Sequence, residues 1–274
     1  MAFTKIGFYG DSFVEVWQDG IDGPKNDLKT WPRIVADKFD LEIVHTGKGG
    51  TSYWDIPLQQ FTLKPNAEGI IDIPDILVFC WTSSNRLYSK DRIQLMPNPR
   101  QSLFQLGPKT LDPLTIEKMD SAARGYYKYI HDEKKEIAEY QACLYWFDET
   151  ILSKVPSDRK IIHLWSYGHE NTENPKHRVG TYHPENLKYL HTWKNGCEIR
   201  PSCMSISLMD GCNVSHISNV ENHFNTQDKH NIMADFIMHS LIDTNIDGGY
   251  DRGALNDYSE NITKRSFNKI PHRK

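Results

Sequence analysis

Residues 75–81 read Asp-Ile-Leu-Val-Phe-Cys-Trp, an unbroken apolar run of β-branched and aromatic side chains after one acid. A strand with one wet face alternates apolar and polar residues, so a run without alternation needs cover on both faces. This segment therefore belongs in the middle layer of a structure that sandwiches a sheet. Lys5–Tyr9 is a shorter apolar run ended by Gly10, and Leu41–Val44 is a second one closed by glycines. Lys160–Ser166 reads as a fourth strand and Ser205–Leu208 as a fifth. Helical patterns lie between them. Lys29–Phe39 holds a helix begun by Pro32, because proline suits a first turn. In Ala122–Leu152 the residues Ile130, Ile137, Tyr140, Leu144, Phe147 and Ile151 form one apolar stripe at helical spacing. Thr226–Ile242 reads as a closing helix with Thr226 as N-cap and Asp228 in its first turn. The alternation predicts an α/β fold, a three-layer α/β/α sandwich around a mainly parallel five-stranded sheet.

A chain of 274 residues can bury a core of this kind without disulfide staples. Its 32 basic and 36 acidic residues leave a net charge of −4, which argues against a broad nucleic-acid surface. No window approaches the roughly 18 apolar residues of a membrane span. The N-terminal stretch has no apolar core of signal-peptide length, so the expectation is cytoplasmic synthesis, with release or incorporation into a larger particle left open. Cys80, Cys143, Cys197, Cys203 and Cys212 show no CxxC spacing and are expected to be reduced thiols. Cys197, Cys203 and Cys212 approach His216 and His223 in sequence, but their gaps of six and nine residues match no common zinc module, so no metal is expected.

Two segments interrupt the alternation, one at about 88–121, rich in Pro, Gln and Arg, and one at about 168–200, rich in His, Asn and Trp. Insertions after strands overhang the carboxyl edge of a parallel sheet, where ligands bind. The organisation read from this is a domain over residues 1–242 carrying both insertions, and a polar, basic-ended tail over 243–274.

Four polar constellations fall at that edge. Gly10-Asp11-Ser12 follows the first strand, where a glycine turn can hold a serine up with its backbone N–H free. Gly47-Lys48-Gly49-Gly50-Thr51-Ser52 follows the second; it is either a flexible turn or a source of N–H groups with no side chain in the way. Its spacing is not that of a phosphate loop. Thr82-Ser83-Ser84-Asn85-Arg86 follows the third, where Asn85 either donates its amide to a ligand or closes the turn. His223 lies in Glu221-Asn222-His223-Phe224-Asn225, just before the last helix, and could reach back toward the first strand as a base.

Taken in order, these segments resemble the SGNH hydrolase superfamily, also called the GDSL esterase/lipase family, over residues 3 to about 242. The resemblance implies Ser12 as nucleophile, His223 as base, and the N–H of Gly49, or of Gly50 as the alternative, as an oxyanion donor completed by Asn85. It implies no cofactor. Two departures stand out. Where the family's third block reads Gly-x-Asn-Asp, this chain has Ser83-Ser84-Asn85-Arg86, and an ungapped reading puts Ser84 or Thr82 at the donor position. Where the family carries Asp three residues before the histidine, this chain has Val220, leaving Glu221, another acid, a main-chain carbonyl or water to orient the imidazole. The implied activity is a serine esterase working through an acyl-serine intermediate. The aromatic, amide and guanidinium content of the insertions suits a small-molecule or carbohydrate ester, above all an O-acetylated sugar, better than a long acyl chain. The rival readings are a binding protein that keeps the fold without turnover and an acyltransferase using the same Ser and His.

Overall fold

The computed structural model describes residues 3–16, 28–49, 51–63, 71–82, 84, 86–88, 112–166, 193–198, 203, 224 and 227–242. Its centre is a sheet of five parallel strands, β1 (Lys5–Gly10), β2 (Glu42–His45), β3 (Ile76–Trp81), β4 (Lys160–Trp165) and β5 (Cys197–Glu198), in the order β2-β1-β3-β4-β5. Tyr9 pairs with Phe79 and Gly10 with Cys80, while Trp81 pairs with Trp165, so the central strands finish along one carboxyl edge.

Every residue of β3 is buried, as the unbroken apolar run requires. Its alternate side chains serve two cores. Ile76, Val78 and Cys80 join Ile6, Phe8, Ile162 and Leu164 beneath α1 (Trp31–Lys38) and α4 (Gln227–Ile242). Leu77, Phe79 and Trp81 join Tyr9, Ile161 and Trp165 beneath α3 (Glu133–Trp146). The three-layer α/β/α sandwich follows from this division. Pro32 sits in the first turn of α1, and the Trp31 N–H donates to Nδ1 of His230 at 3.2 Å, joining that helix to α4. Asp228 lies in the first turn of α4 as expected, while Thr226 lies outside the described residues.

Three expectations change. The single helix over Ala122–Leu152 is two helices, α2 (Pro113–Tyr129) and α3, followed by a widened π turn over Phe147–Ile151. Ile130 leaves the apolar stripe and is 68% exposed, because Asp132 accepts the Lys135 N–H at 2.8 Å and starts a new helix there. The segment read as an insertion at 88–121 contains the start of α2, whose N-cap Asp112 accepts the Thr115 N–H at 3.0 Å. The fifth described strand is Cys197–Glu198, inside the stretch assigned to the second insertion. Ser205–Leu208, residues 89–111 and 167–192, and the tail from 243 lie outside the described residues. No helix among the described residues is long and apolar enough to cross a membrane.

Candidate functional site

The turns after β1, β2 and β3 meet at the carboxyl edge. Gly10 ends β1 with φ near +151°, and a Cβ there would lie 2.4 Å from the Cys80 carbonyl oxygen, so only glycine lets β1 turn this close to β3. Its peptide is held by the Gln60 side chain, which accepts the Gly10 N–H at 2.6 Å and donates back to the Gly10 carbonyl at 2.9 Å. The same carbonyl accepts the Lys48 N–H at 3.0 Å and the Thr51 hydroxyl at 3.1 Å, drawing the glycine segment after β2 onto the first turn. Gly47 belongs to that contact; a Cβ there would fall 2.6 Å from the Asp11 carbonyl oxygen.

Ser12 opens a single 3₁₀ turn, Ser12–Val14, and is half-buried at the edge. The preceding Asp11 is fully buried and caps this turn, its Oδ1 accepting the Phe13 N–H at 3.1 Å. The Trp31 indole donates to the Phe13 carbonyl at 2.7 Å and fixes the far side. Gly49 stands beside Ser12, since a Cβ on Gly49 would lie 3.6 Å from the Ser12 Cβ. The structure therefore brings these two expected site residues together. It also adds a residue that the sequence reading missed: Glu15 Oε2 accepts the Gly49 N–H at 3.0 Å. A carboxylate oxygen thus occupies the donor expected to meet a developing oxyanion. Downstream, Asp55 accepts both the N–H and the hydroxyl of Ser52, at 2.6 and 2.9 Å, and ends the glycine segment.

The third block is held from two sides. Of its alternatives, Thr82 and Ser84 are described and buried, while Ser83 and Asn85 lie outside the described residues. From the α3 side, the Tyr140 hydroxyl donates to the Thr82 carbonyl at 2.6 Å, and the Ser84 hydroxyl donates to Glu136 Oε1. Burial, followed by Cys143, Tyr53, Cys80 and Asp11, pushes the Tyr140 phenol well above its ordinary value, so it stays a donor. The second Glu136 oxygen meets Nε2 of His131 at 2.5 Å. The Thr82 hydroxyl is buried and has no hydrogen-bond partner among the described residues. From the sheet side, Arg86 is 4% exposed and places Nη1 3.4 Å from Asp11 Oδ2 and 3.0 Å from the Thr51 carbonyl oxygen. Glu136 was legible in principle. It lies one helical turn before Tyr140 on the stripe that continues to Leu144, and a carboxylate on such a stripe requires a polar partner.

His223, Glu221 and Gly50 lie outside the described residues. Phe224, adjacent to His223, is buried, and its ring centroid lies 5.7 Å from that of Phe13, adjacent to Ser12. It also meets the His230 ring edge-on at 5.2 Å. Of the cysteines near His216 and His223, Cys197 and Cys203 are core residues, and the Cys203 sulfur lies 3.9 Å from that of Cys80. Burial, then Cys203, raises the Cys80 thiol well above its ordinary value. Among the described residues no group of three or more His, Cys, Asp or Glu could hold a metal ion.

Chemically, this edge offers a half-buried serine on a capped turn, a glycine beside it whose N–H Glu15 accepts, and buried polar groups around both. No protein-family model and no curated protein sequence matches the chain. Among solved structures it is similar to a protein reported as a GDSL-like lipase from Parabacteroides merdae, at 12% identity and a TM-score of 0.42, over 87% of this chain and 96% of that one. It is also similar to a carbohydrate esterase whose active site displays divergent catalytic and non-catalytic binding functions, at 13% identity and a TM-score of 0.41, over 89% of this chain and 66% of that one. A third is a carbohydrate esterase family 2 enzyme with a carbohydrate-binding domain from Corynascus thermopiles (Myceliophthora fergusii), at 12% identity and a TM-score of 0.36, over 87% and 66%. The chain spans about two thirds of the length of these two esterases, 66% of each.

Proposed function

We propose that this chain is a serine hydrolase that cleaves carboxylic esters through an acyl-serine intermediate, with short-acyl, acetyl-type esters of carbohydrates as its substrate class. The observation that carries the reading is the contact between the Phe13 and Phe224 rings, the residues next in sequence to Ser12 and His223. Ser12 and Gly49 already adjoin on that edge. On this reading His223 takes the proton of Ser12 as Oγ bonds to the acyl carbon and the carbonyl electron pair moves onto oxygen. The N–H groups of Ser12 and Gly49 and the Asn85 amide meet that charge, the Gly49 donor once Glu15 yields it. His223 then protonates the departing alcohol, takes a proton from the water that attacks the acyl carbon, and returns it to Ser12 Oγ as the acyl–Oγ bond breaks. Glu221 is the candidate for orienting the far ring nitrogen. Residues 1–242 act as the hydrolase domain, with substrate selected by the aromatic and amide residues of the insertions.

The test is labelling by a fluorophosphonate probe together with hydrolysis of p-nitrophenyl acetate. Ser12→Ala is expected to abolish labelling and to lower turnover by about 10³-fold or more. Unchanged hydrolysis in that variant overturns the assignment. Rates falling from acetyl to octanoyl esters support the short-acyl class, and a rise refutes it. The Glu15–Gly49 contact favours one second reading, a protein that binds acetylated sugars without turnover. Its signature is sugar-ester binding by a wild-type chain that the probe does not label.

A further inference from the structure

Arg86 is a buried cation in the segment that follows β3. Its charge partner is Asp11. Arg86 and Asp11 are 4% and 0% exposed, and Nη1 of Arg86 lies 3.4 Å from Oδ2 of Asp11. Burying two charges is expensive, and an apolar pair of similar volume would serve folding as well or better. What an apolar pair cannot supply is direction. Nη1 also donates to the Thr51 carbonyl at 3.0 Å, while the other Asp11 oxygen caps the Ser12 turn through the Phe13 N–H at 3.1 Å. The Thr51 hydroxyl in turn reaches the Gly10 carbonyl at 3.1 Å. One guanidinium therefore ties together the turns after β1, β2 and β3. Asp11 immediately precedes Ser12, Thr51 lies two residues beyond Gly49, and Arg86 itself follows Asn85.

We propose that Arg86 is a positioning residue of the Ser12 site: by bridging Asp11 and Thr51 it sets the nucleophile, the glycine donor and the third block in fixed relation. The inference rests on the serine-hydrolase reading above. A planar guanidinium fixes the direction of its donor to Thr51 while its charge faces Asp11, and an ammonium on a flexible stem does not, so lysine is not an equivalent here. Misplacement of reacting groups by about 1 Å can cost about 100-fold in rate.

The test compares Arg86→Lys and the neutral pair Asp11→Asn/Arg86→Met with wild type. In the pair, Asn keeps the Oδ1 cap on Phe13 and no charge is left buried, so folding is preserved while the bridge is lost. Thermal unfolding of the pair is expected near that of wild type. Fluorophosphonate labelling of Ser12 is expected to slow by about 10- to 100-fold in both variants, with the loss in kcat for p-nitrophenyl acetate and KM within about twofold. Labelling of the neutral pair at the wild-type rate overturns the proposal and leaves Arg86 a structural residue. A wild-type chain that labels no faster than Ser12→Ala refutes the hydrolase reading instead. In that event the bridge is read from amide hydrogen exchange in peptides covering residues 10–16 and 46–52. Exchange faster by about tenfold at both turns in the neutral pair supports the bridge, and unchanged protection overturns it.

Discussion

At the amino ends of the strands, Asp75 accepts the Thr4 N–H, the Thr4 hydroxyl and the Lys5 N–H at 2.8, 2.9 and 3.0 Å, and pairs with Arg159 at 2.7 Å. At the carboxyl ends, Asp11 pairs with Arg86 and Arg86 reaches Thr51. Both ends use an aspartate and an arginine to link segments around β1 and β3. They differ in water: Asp75 and Arg159 are 18% and 28% exposed, against 0% and 4% for Asp11 and Arg86. The first pair reinforces strands that the ladder already aligns, and its charges keep part of their contact with water. The second pair orders turns that no ladder reaches, at a desolvation cost that folding alone does not require. A sheet can be closed without buried charge, and buried charge where loops converge marks a geometry needed for something else.

The largest effect should therefore come from removing one member of the buried pair. Arg86→Met leaves Asp11 as an uncompensated buried charge and is expected to cost about 3–5 kcal/mol in denaturant unfolding. Arg159→Met, the same change at the other end, should cost about 1 kcal/mol or less. Equal losses would show that the two ends are energetically alike and would break the comparison.

Next in size is Glu136→Ala, which takes away the acceptor of the buried Ser84 hydroxyl and the partner of His131. Leaving a buried hydroxyl without its acceptor costs about 1–3 kcal/mol. The loss should appear in unfolding experiments, and Ser84→Ala made in the Glu136→Ala background should add little. A full second loss would mean that the two residues act independently.

These contacts also show where the sequence becomes silent. Apolar runs predict β1 to β4 to within a residue or two, because a strand's pattern lies within the strand itself. Ser12 and Gly49 are legible for a related reason, since a glycine turn directly after a strand is local information. The break between α2 and α3 was written locally as well. Asp132 precedes Lys135 in an N-cap arrangement, but the apolar stripe running through Ile130 outweighs it in a periodicity reading. β5, two residues long, carries no pattern to find. Arg86 with Asp11, and Glu136 with Ser84, join residues on separate turns and helices, and the spacing of neither partner points to the other. Such pairs depend on the register of the sheet, which sets which turns meet. The Glu15 contact is different again. It spans a few residues of the first turn and one of the second, and only the approach of Gly47 to Asp11 brings them together.

The amino-end pair makes a smaller, pH-dependent prediction. Burial alone would raise the Asp75 carboxyl, but the hydrogen bonds from Thr4 and Lys5 and the charge of Arg159 outweigh it and hold the group below its ordinary value. A carboxylate depressed in the folded state adds stability above the unfolded value of about 3.9, and loses it as the pH falls through the folded one. Asp75→Asn should then cost about 1 kcal/mol at neutral pH, limited by solvent screening. The difference from wild type should shrink below about pH 4. A difference that stays constant with pH would assign the loss to packing and not to the charge.

The smallest effect on stability, and the one most informative about the site, belongs to Glu15. Glu15 is half-buried and its carboxylate accepts the Gly49 N–H, a hydrogen bond that water can replace, so Glu15→Ala is expected to cost within about 0.5 kcal/mol. On reactivity the sign reverses. An acyl oxygen that approaches Gly49 must first displace Glu15, and a net hydrogen bond of about 0.5–1 kcal/mol corresponds to a two- to fivefold slower reaction. Glu15→Ala should accordingly label faster with the fluorophosphonate probe by about that factor, with Glu15→Gln between it and wild type, because a neutral amide oxygen accepts more weakly than a carboxylate. Slower labelling in Glu15→Ala would mean that the carboxylate supports the Ser12 turn and does not compete for its donor. The carboxyl end would then resemble the amino end more closely than its burial suggests, with charge serving to hold turns in place at both.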